Sequence, residues 1–258
     1  MSKKKYKYIY GPVPSWRLGS SLGIDPISDK KKICSFDCIY CQLGKTKVHT
    51  KKRKIFIPTE KVIEELKSLP PVGIDYITFS GRGEPTLAKN LGEMIAEVKR
   101  IRKEPIAVLT NAGLLYEKEV RENLSQADFV VAKLDAASEA VFKKMNGPVK
   151  GINLSKVIGG IKKFSSNHRG KLALQIMFVE ENEKYAKEIS QLARKVGADE
   201  VQLNTPLRPC AVKPLAKKKM KEIEKYFKGL NVISVYKSVR KKVKPVSKKD
   251  TLKRRGKI

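Results

Sequence analysis

Three of the chain's four cysteines, Cys34, Cys38 and Cys41, lie within the eight residues "CSFDCIYC". A thiolate is a metal ligand and a nucleophile, so the spacing Cys-x3-Cys-x2-Cys asks for a metal. The N-terminal "MSKKKYKYIYGP" is basic and has no apolar stretch of the kind a secretory signal needs. The expected location is therefore the cytoplasm, where a short cysteine cluster reads as a metal site rather than a disulfide framework. Structural zinc takes four ligands, often as two C-x2-C pairs, and this loop supplies three. The fourth cysteine, Cys210, is isolated and reads as a small buried residue. His49, in "KVHTKK", reads as a solvated side chain. A [4Fe–4S] cluster takes one thiolate per iron, so three thiolates leave one iron open to a ligand from outside the protein. The spacing also suits a loop wrapped around a cubane, each sulfur reaching a different corner.

The elements that must hold this loop alternate. Strand signals fall at residues 20–26, 74–81, 105–113, 128–136, 171–179 and 200–209. Helical spacing falls at 59–69, with Thr59 as its expected N-cap, and at 90–103, 117–126, 138–145, 153–166 and 182–197. Six strands with helices between them predict a parallel α/β sheet. Periodicity leaves an open doubly wound sheet and a partial barrel equally open. In both, ligands belong at the C-terminal ends of the strands. A helix (216–230) and a short strand (231–236) follow. Residues 237–258 are strongly basic with Asp250 as their one acid, and read as a flexible tail. The expected organisation is a core at 1–215, an appendage at 216–236 and the tail at 237–258.

Charge points to a partner. The 258 residues carry 56 Lys and Arg against 26 Asp and Glu, a formal net charge of +30. A lysine-rich proteome raises glutamate along with lysine, and here the acids lag. The imbalance suggests a polyanion, most simply RNA or DNA. No apolar run approaches the ~18 residues of a membrane span, so no membrane association is expected.

At the cysteine loop the chain resembles the radical S-adenosylmethionine superfamily, with Tyr40 as the aromatic residue before the last cysteine. "TFSGRGEPTL" (78–87) resembles that superfamily's Gly-Gly-Glu segment, matched here by Gly81, Gly83 and Glu84 with Arg82 among them. "YGPVPSWRLGSSLGIDP" (10–26), "LTNAGLL" (109–115), "KLDAASEAVF" (133–142) and "LNTPLRPC" (203–210) resemble the subgroup classed with the tRNA-modifying 4-demethylwyosine synthases. Those synthases carry a second cluster on additional N-terminal cysteines, and this chain has none before Cys34.

The resemblance implies a partial (β/α)6 barrel, a [4Fe–4S] cluster on Cys34, Cys38 and Cys41, and S-adenosylmethionine chelated to the open iron. Electron transfer from the cluster would cleave the sulfonium to a 5′-deoxyadenosyl radical, which takes a hydrogen from the substrate. It also implies an electron donor such as ferredoxin or flavodoxin, and tRNA or another structured RNA as substrate. A small molecule, a peptide or a partner protein is the alternative, and a non-enzymatic metal-containing RNA-binding protein is a third reading. Tyr40 would contact the adenine. Gly81, Gly83 and Glu84 would hold the methionine ammonium, with an N-cap or surface carboxylate as the alternative for Glu84. Asn111 would bind the cofactor carboxylate or act as a turn residue. Asp135 would accept from a ribose hydroxyl, with Lys133 on the same strand face. Gln175, Asn204 and Thr205 are candidate pocket residues. Arg17, Arg82 and Arg208 sit beside Gly/Pro turns expected at the barrel mouth, where a guanidinium binds phosphate or carboxylate or simply faces solvent. Trp16 would stack on a base or pack internally.

Overall fold

The computed structural model describes residues 6–255. The sheet is built from β1 (Ile9–Ser15), β2 (Gly19–Ile24), β5 (Tyr76–Phe79), β6 (Ile106–Thr110), β7 (Phe129–Lys133), β8 (Lys171–Met177), β9 (Glu200–Asn204) and β10 (Val232–Ser234), in the order β1-β2-β5-β6-β7-β8-β9-β10. From β2 to β10 every pairing is parallel, and β1 pairs antiparallel with β2 at one edge. The long segment between β2 and β5 carries the cysteine loop, a two-strand ladder of β3 (Ile33–Cys34) and β4 (Val48–His49), and α1 (Thr59–Lys67). The later strands are joined through α2 (Leu91–Ile101), α3 (Lys118–Ser125), α4 (Glu139–Asn146), α5 (Leu154–Ser165) and α6 (Ala186–Val196), and α7 (Lys217–Glu224) precedes β10. This is a mixed α/β fold whose curled parallel sheet forms a partial barrel; the alternation of signals predicts the parallel sheet and the family resemblance implies the barrel.

Strand alternation sorts the side chains. Ile77 and Phe79, Ile106 and Val108, Val130 and Ala132, Leu172, Leu174 and Ile176 join the main core with the helices. On α2 the face Leu91, Met94, Ile95 and Val98 is fully buried against them, and each such side chain contributes about 1.5–3 kcal/mol by leaving water. The opposite set, Ala107, Phe129, Val131 and Ala173, packs with Leu18 in a separate small cluster that plugs the barrel interior. Farther along the same face the residues become Thr78, Leu109, Lys133, Gln175 and Met177, and these line a cavity. The barrel is thus solid at one end and hollow where the strands end.

Three expectations are corrected. Thr59 is the first residue inside α1, with Pro58 at the cap position, and its Oγ1 accepts from Asn90 Nδ2 at 3.0 Å instead. β1 has no counterpart among the expected strands, because Pro12 and Pro14 argue against a strand; an edge position tolerates the missing donors. The expected flexible tail is docked. Residues 248–255 form α8 (Lys248–Arg255), with Gly11 N donating to Thr251 Oγ1 at 3.0 Å, Tyr6 N to Asp250 Oδ2 at 3.2 Å and Val246 N to Gly11 O at 2.7 Å. Local composition hid this, since α8 is held by polar anchors from a strand far away in sequence. Residues 1–5 and 256–258 lie outside the described residues, including part of the N-terminal lysine run.

Gly83 shows how tightly the cysteine loop is seated. A Cβ there would stand 1.8 Å from the Ile33 carbonyl oxygen, while one at Gly73 would meet nothing within 4 Å. Gly83→Ala should therefore cost about 2 kcal/mol or more through a forced backbone shift, and a thermal melt should show it as a drop of several degrees. Gly73→Ala should be neutral or slightly stabilising. Equal melting temperatures for the two variants would contradict this seating.

Candidate active site

The cysteine loop is clamped from both sides by backbone. Ile33 bridges Gly83 in parallel, and Glu84 N donates to Ile33 O at 3.2 Å. Phe36 bridges Pro148, Asp37 N donates to Asn146 O at 2.9 Å, and Ile39 N donates to Met145 O at 3.1 Å. Phe36 itself is buried edge-on against Phe142 with ring centroids 5.4 Å apart. Within the loop, Cys41 N donates to Cys38 O and Gly44 N to Cys41 O, each at 3.0 Å. Thr46 closes the loop by donating from its N to Asp37 Oδ1 at 2.6 Å and from Oγ1 to Phe36 O at 2.7 Å.

The three thiols share a surround of mixed charge, with the Glu84 carboxylate acting on Cys34 and the Asp135 carboxylate on Cys38. Burial pushes Cys34 well above the usual thiol range and Cys38 up to about 11. Set against this, Asn111 Nδ2 stands 3.5 Å from Cys34 Sγ, Phe36 N 3.4 Å from the same sulfur, and Asn146 Nδ2 3.6 Å from Cys38 Sγ. Lys32 is buried, which works to lower its pKa, but the charges of Cys41, Cys34 and Cys38 outweigh this and raise it. One ammonium thus feels all three sulfurs. Among the described residues no group of three Cys, His, Asp or Glu is drawn together around a single metal ion. The donor set is three thiols of one loop with amide and ammonium donors behind them, and it fits a thiolate-ligated cluster. Cys210 takes no part in that set; its Sγ donates to Val212 O at 3.1 Å. His49 is exposed, as expected, with Nε2 3.1 Å from Ser35 O.

Two buried carboxylates hold the loop to the strand ends. Glu84 follows β5 and is 2 % exposed. Its Oε1 accepts from Thr86 N (3.1 Å), Thr86 Oγ1 (2.7 Å) and Thr110 Oγ1 (2.6 Å), and its Oε2 from Asn111 N (2.7 Å). Burial raises its pKa, and these donors pull the other way without cancelling the shift. Asn111 passes the constraint on, its Nδ2 donating to Ser35 Oγ at 2.9 Å and its Oδ1 accepting from Gly113 N at 2.8 Å. Asp135, after β7, accepts from the Tyr40 hydroxyl and from Asn146 Nδ2 (2.8 Å) on Oδ2, and from Met177 N (2.7 Å) on Oδ1, with Lys133 Nζ at 3.4 Å.

In this structure Glu84, Asn111 and Asp135 direct these contacts at the protein itself. None of the three lines the cavity, and the polar atoms expected to meet the cofactor are turned onto the protein itself. Glu84 caps the turn at Pro85–Leu87, which agrees with its alternative reading. Gly83 is pressed against Ile33, and Gly81 allows Asp25 to approach, since a Cβ there would stand 2.2 Å from the Asp25 carboxyl carbon.

The cavity, of about 280 Å³, opens at the C-terminal strand ends between the loop and the β1 edge. Tyr40, Cys41 and Gly81 line it together with Arg17, Lys133, Gln175, Arg208 and Arg254. A second chamber shares Arg17, Gln42, Gln175 and Arg208 and adds Trp16, Asn204, Thr205 and Arg240. Trp16 faces this chamber with the Arg17 guanidinium 4.9 Å above its ring. Arg82 lines neither; its backbone N donates to Asp25 Oδ2. The sequence reading missed Lys32, hidden in "DKKK", and Asn146, an unremarkable residue before the helix-ending Gly147. It also missed Arg254, in the presumed tail.

The radical SAM superfamily model matches residues 31–193. The chain belongs to that superfamily. Its relatives include a UPF0026 protein of Synechocystis, 44% identical over 208 residues that cover 80% of this chain and 77% of that one. Among solved structures, Streptococcus suis SuiB bound to S-adenosylmethionine aligns at a TM-score of 0.62 with 16% identity, covering 80% of this chain and 48% of that one. TYW1 with a lysine–pyruvate adduct bound aligns at 0.62 with 15% identity, covering 82% and 74%. At such identities these two establish the fold, which this radical SAM protein shares. The superfamily is the level at which this radical SAM chain is placed. Among the described residues no helix is long and apolar enough to cross a membrane.

Both Glu84 oxygens accept from backbone N–H groups, which cannot turn around to accept. Glu84→Gln must therefore point an amide donor at a donor, at a cost of about 1–3 kcal/mol. The variant should melt several degrees lower and retain less iron per chain after anaerobic purification. Glu64→Gln, on the exposed face of α1, should match the wild type. Wild-type melting and iron in Glu84→Gln would contradict the bracing role.

Proposed function

We propose that this protein is a radical SAM enzyme that reductively cleaves S-adenosylmethionine and uses the radical on an RNA, with tRNA the foremost candidate. The observation that carries the substrate class is the charge of the cavity. Arg17, Lys133, Arg208 and Arg254 line it, and no Asp or Glu does. S-adenosylmethionine brings two cationic groups and one carboxylate, a net single positive charge. A [4Fe–4S]2+ cluster on three thiolates brings a single net negative charge. The two offset each other, so the cavity's own charged lining, all of it cationic, sets the sign of the field a substrate meets. Gln175 Nε2, buried at the same surface, makes no hydrogen bond among the described residues and adds a donor. The outer chamber repeats the pattern with Arg240 beside Trp16, again with no acid. Cations with an aromatic platform suit a phosphate backbone carrying a base, and the net charge of +30 extends that field over the molecule.

Within this reading Cys34, Cys38 and Cys41 hold the cluster, and Lys32, Asn111 and Asn146 support their sulfurs. When bound, the cluster supplies the electron that cleaves S-adenosylmethionine to the 5′-deoxyadenosyl radical. Tyr40 and Gly81 form part of the wall against which the cofactor lies. Lys133 is fixed from three sides, 3.4 Å from Asp135 Oδ1, 3.4 Å from Gln175 Oε1 and 4.9 Å from the Tyr40 ring centre, and presents its ammonium to the cavity. Val13, Leu43, Leu109 and Met177 keep part of the wall apolar and exclude water from a reactive intermediate. An acidic electron carrier such as ferredoxin or flavodoxin complements the basic surface. A relation to wyosine-type modification belongs to the same proposal, supported by the resemblance of "YGPVPSWRLGSSLGIDP".

The test is anaerobic turnover with chemically reduced protein and tRNA taken from a strain lacking the gene. The expected result is 5′-deoxyadenosine formation that rises several-fold with that tRNA, and one nucleoside that mass spectrometry finds missing in the strain and restored by the enzyme. An unchanged nucleoside profile together with turnover indifferent to RNA would reject RNA as the substrate. Absence of 5′-deoxyadenosine would reject the radical chemistry.

A further inference from the structure

The C-terminal helix does more than cover the edge strand. α8 is strongly polar, so apolar burial cannot hold it in place. It is tied down by Asp250 and Thr251, which accept from Tyr6 N and Gly11 N, and by Ser247 Oγ at 2.7 Å from Asp250 Oδ2. Residues 250, 251 and 254 form its buried face, while Lys249 and Leu252 are exposed. This face carries Arg254 into the wall of the cavity that Cys41 and Gly81 also line.

Arg254 is 8 % exposed, and burying a guanidinium without good partners is costly. Its partners among the described residues are few. Nη1 donates to Asp250 O at 3.2 Å, and Nε makes no hydrogen bond. The nearest acid is Asp25, whose Oδ2 lies 3.8 Å from Nε, beyond hydrogen-bond length. Asp25 is already occupied by backbone donors, with Ile27 N and Ser28 N on Oδ1 and Arg82 N on Oδ2. A guanidinium has five N–H donors in a planar fork. A nearly buried one with donors to spare suits an oxyanion; of the two cavities that Arg254 lines, the one shared with Cys41 has no acid in its wall, and the other holds Asp29 and Asp250.

We propose that Arg254 binds a phosphate of the substrate, so that the C-terminal helix is part of the substrate site rather than a detached tail. This deepens the RNA reading and rests on it for the identity of the anion. The oxyanion has two possible sources, a substrate phosphate and the carboxylate of S-adenosylmethionine, and binding can separate them. The charged lining of the cavity, cationic throughout, favours the more highly charged phosphate.

The experiment uses the full chain with its cluster reconstituted and S-adenosylmethionine bound. Uridine 5′-monophosphate and uridine are titrated by calorimetry; the pyrimidine avoids competition with the cofactor's adenine. Wild type should bind the monophosphate at least tenfold more tightly than the nucleoside. Arg254→Gln should abolish that difference while its affinity for S-adenosylmethionine stays within about twofold. Arg254→Lys keeps the charge and loses the fork, and should retain a reduced preference. It therefore guards against reading a loosened helix as a lost contact, as do melting curves for all variants. Lys249→Gln, exposed on the same helix, should bind both ligands as the wild type does. Loss of S-adenosylmethionine affinity in Arg254→Gln with the monophosphate preference intact would overturn the proposal in favour of the cofactor carboxylate. No change in either affinity would overturn it by leaving Arg254 as a counter-ion of Asp25. Wild type that binds uridine and its monophosphate equally would overturn the phosphate assignment. Formation of 5′-deoxyadenosine, measured on the same wild-type preparation, shows separately whether the radical reading holds.

Discussion

A carboxylate sealed away from water controls the geometry of this site. Glu84 receives backbone N–H groups from two different segments, one on each oxygen, so it cannot rotate or be exchanged for a neutral amide without leaving donors facing donors. Through it the end of β5 is tied to the end of β6, and through Asn111 the end of β6 is tied to Ser35 and Cys34. A buried polar group costs stability unless every position on it is satisfied. Here it is satisfied, and the result is a rigid link between sheet and cysteine loop.

Asp135 repeats the arrangement on the far side. It ties the end of β7 to β8 through Met177 N and to the loop through Tyr40, with Asn146 bridging from the end of α4 to Cys38. The three thiols are therefore positioned by strand ends that belong to one parallel sheet, and preorganisation of this kind is what a labile, water-sensitive chemistry needs. Glu84, Asn111 and Asp135, motif residues that look in sequence like cofactor contacts, here brace the cysteine loop against the strand ends. The charged groups that line the cavity are all cations, supplied by the β1–β2 turn, by β7, by the segment after β9 and by α8.

Much of this was legible in the chain. The parallel strands announced themselves because both faces of each are largely covered, giving apolar runs such as "FVVA" and "LAL", and the cysteine spacing named the metal chemistry. β1 was not legible, since its prolines mimic a turn and only its edge position makes them tolerable. The direction of the Glu84 and Asp135 side chains was not legible either: one dimension cannot show whether a carboxylate at a strand end points into the cavity or back onto its neighbours. Arg254 was hidden in a lysine- and arginine-rich stretch where composition argues for solvent, and only the reach of Asp250 and Thr251 to residues 6 and 11 brings it inside.

The central claim is a three-thiolate cluster with one iron left for S-adenosylmethionine, held by this loop and by no other cysteine. Electron paramagnetic resonance of the anaerobically reconstituted, reduced protein tests it most directly when combined with iron analysis. The account predicts about four irons per chain, one for each corner of a single cubane. It predicts a reduced-cluster signal that shifts on adding S-adenosylmethionine, unchanged in Cys210→Ala and lost in Cys38→Ala. A signal indifferent to S-adenosylmethionine, tetrahedral zinc in place of iron, or iron lost in Cys210→Ala would contradict it.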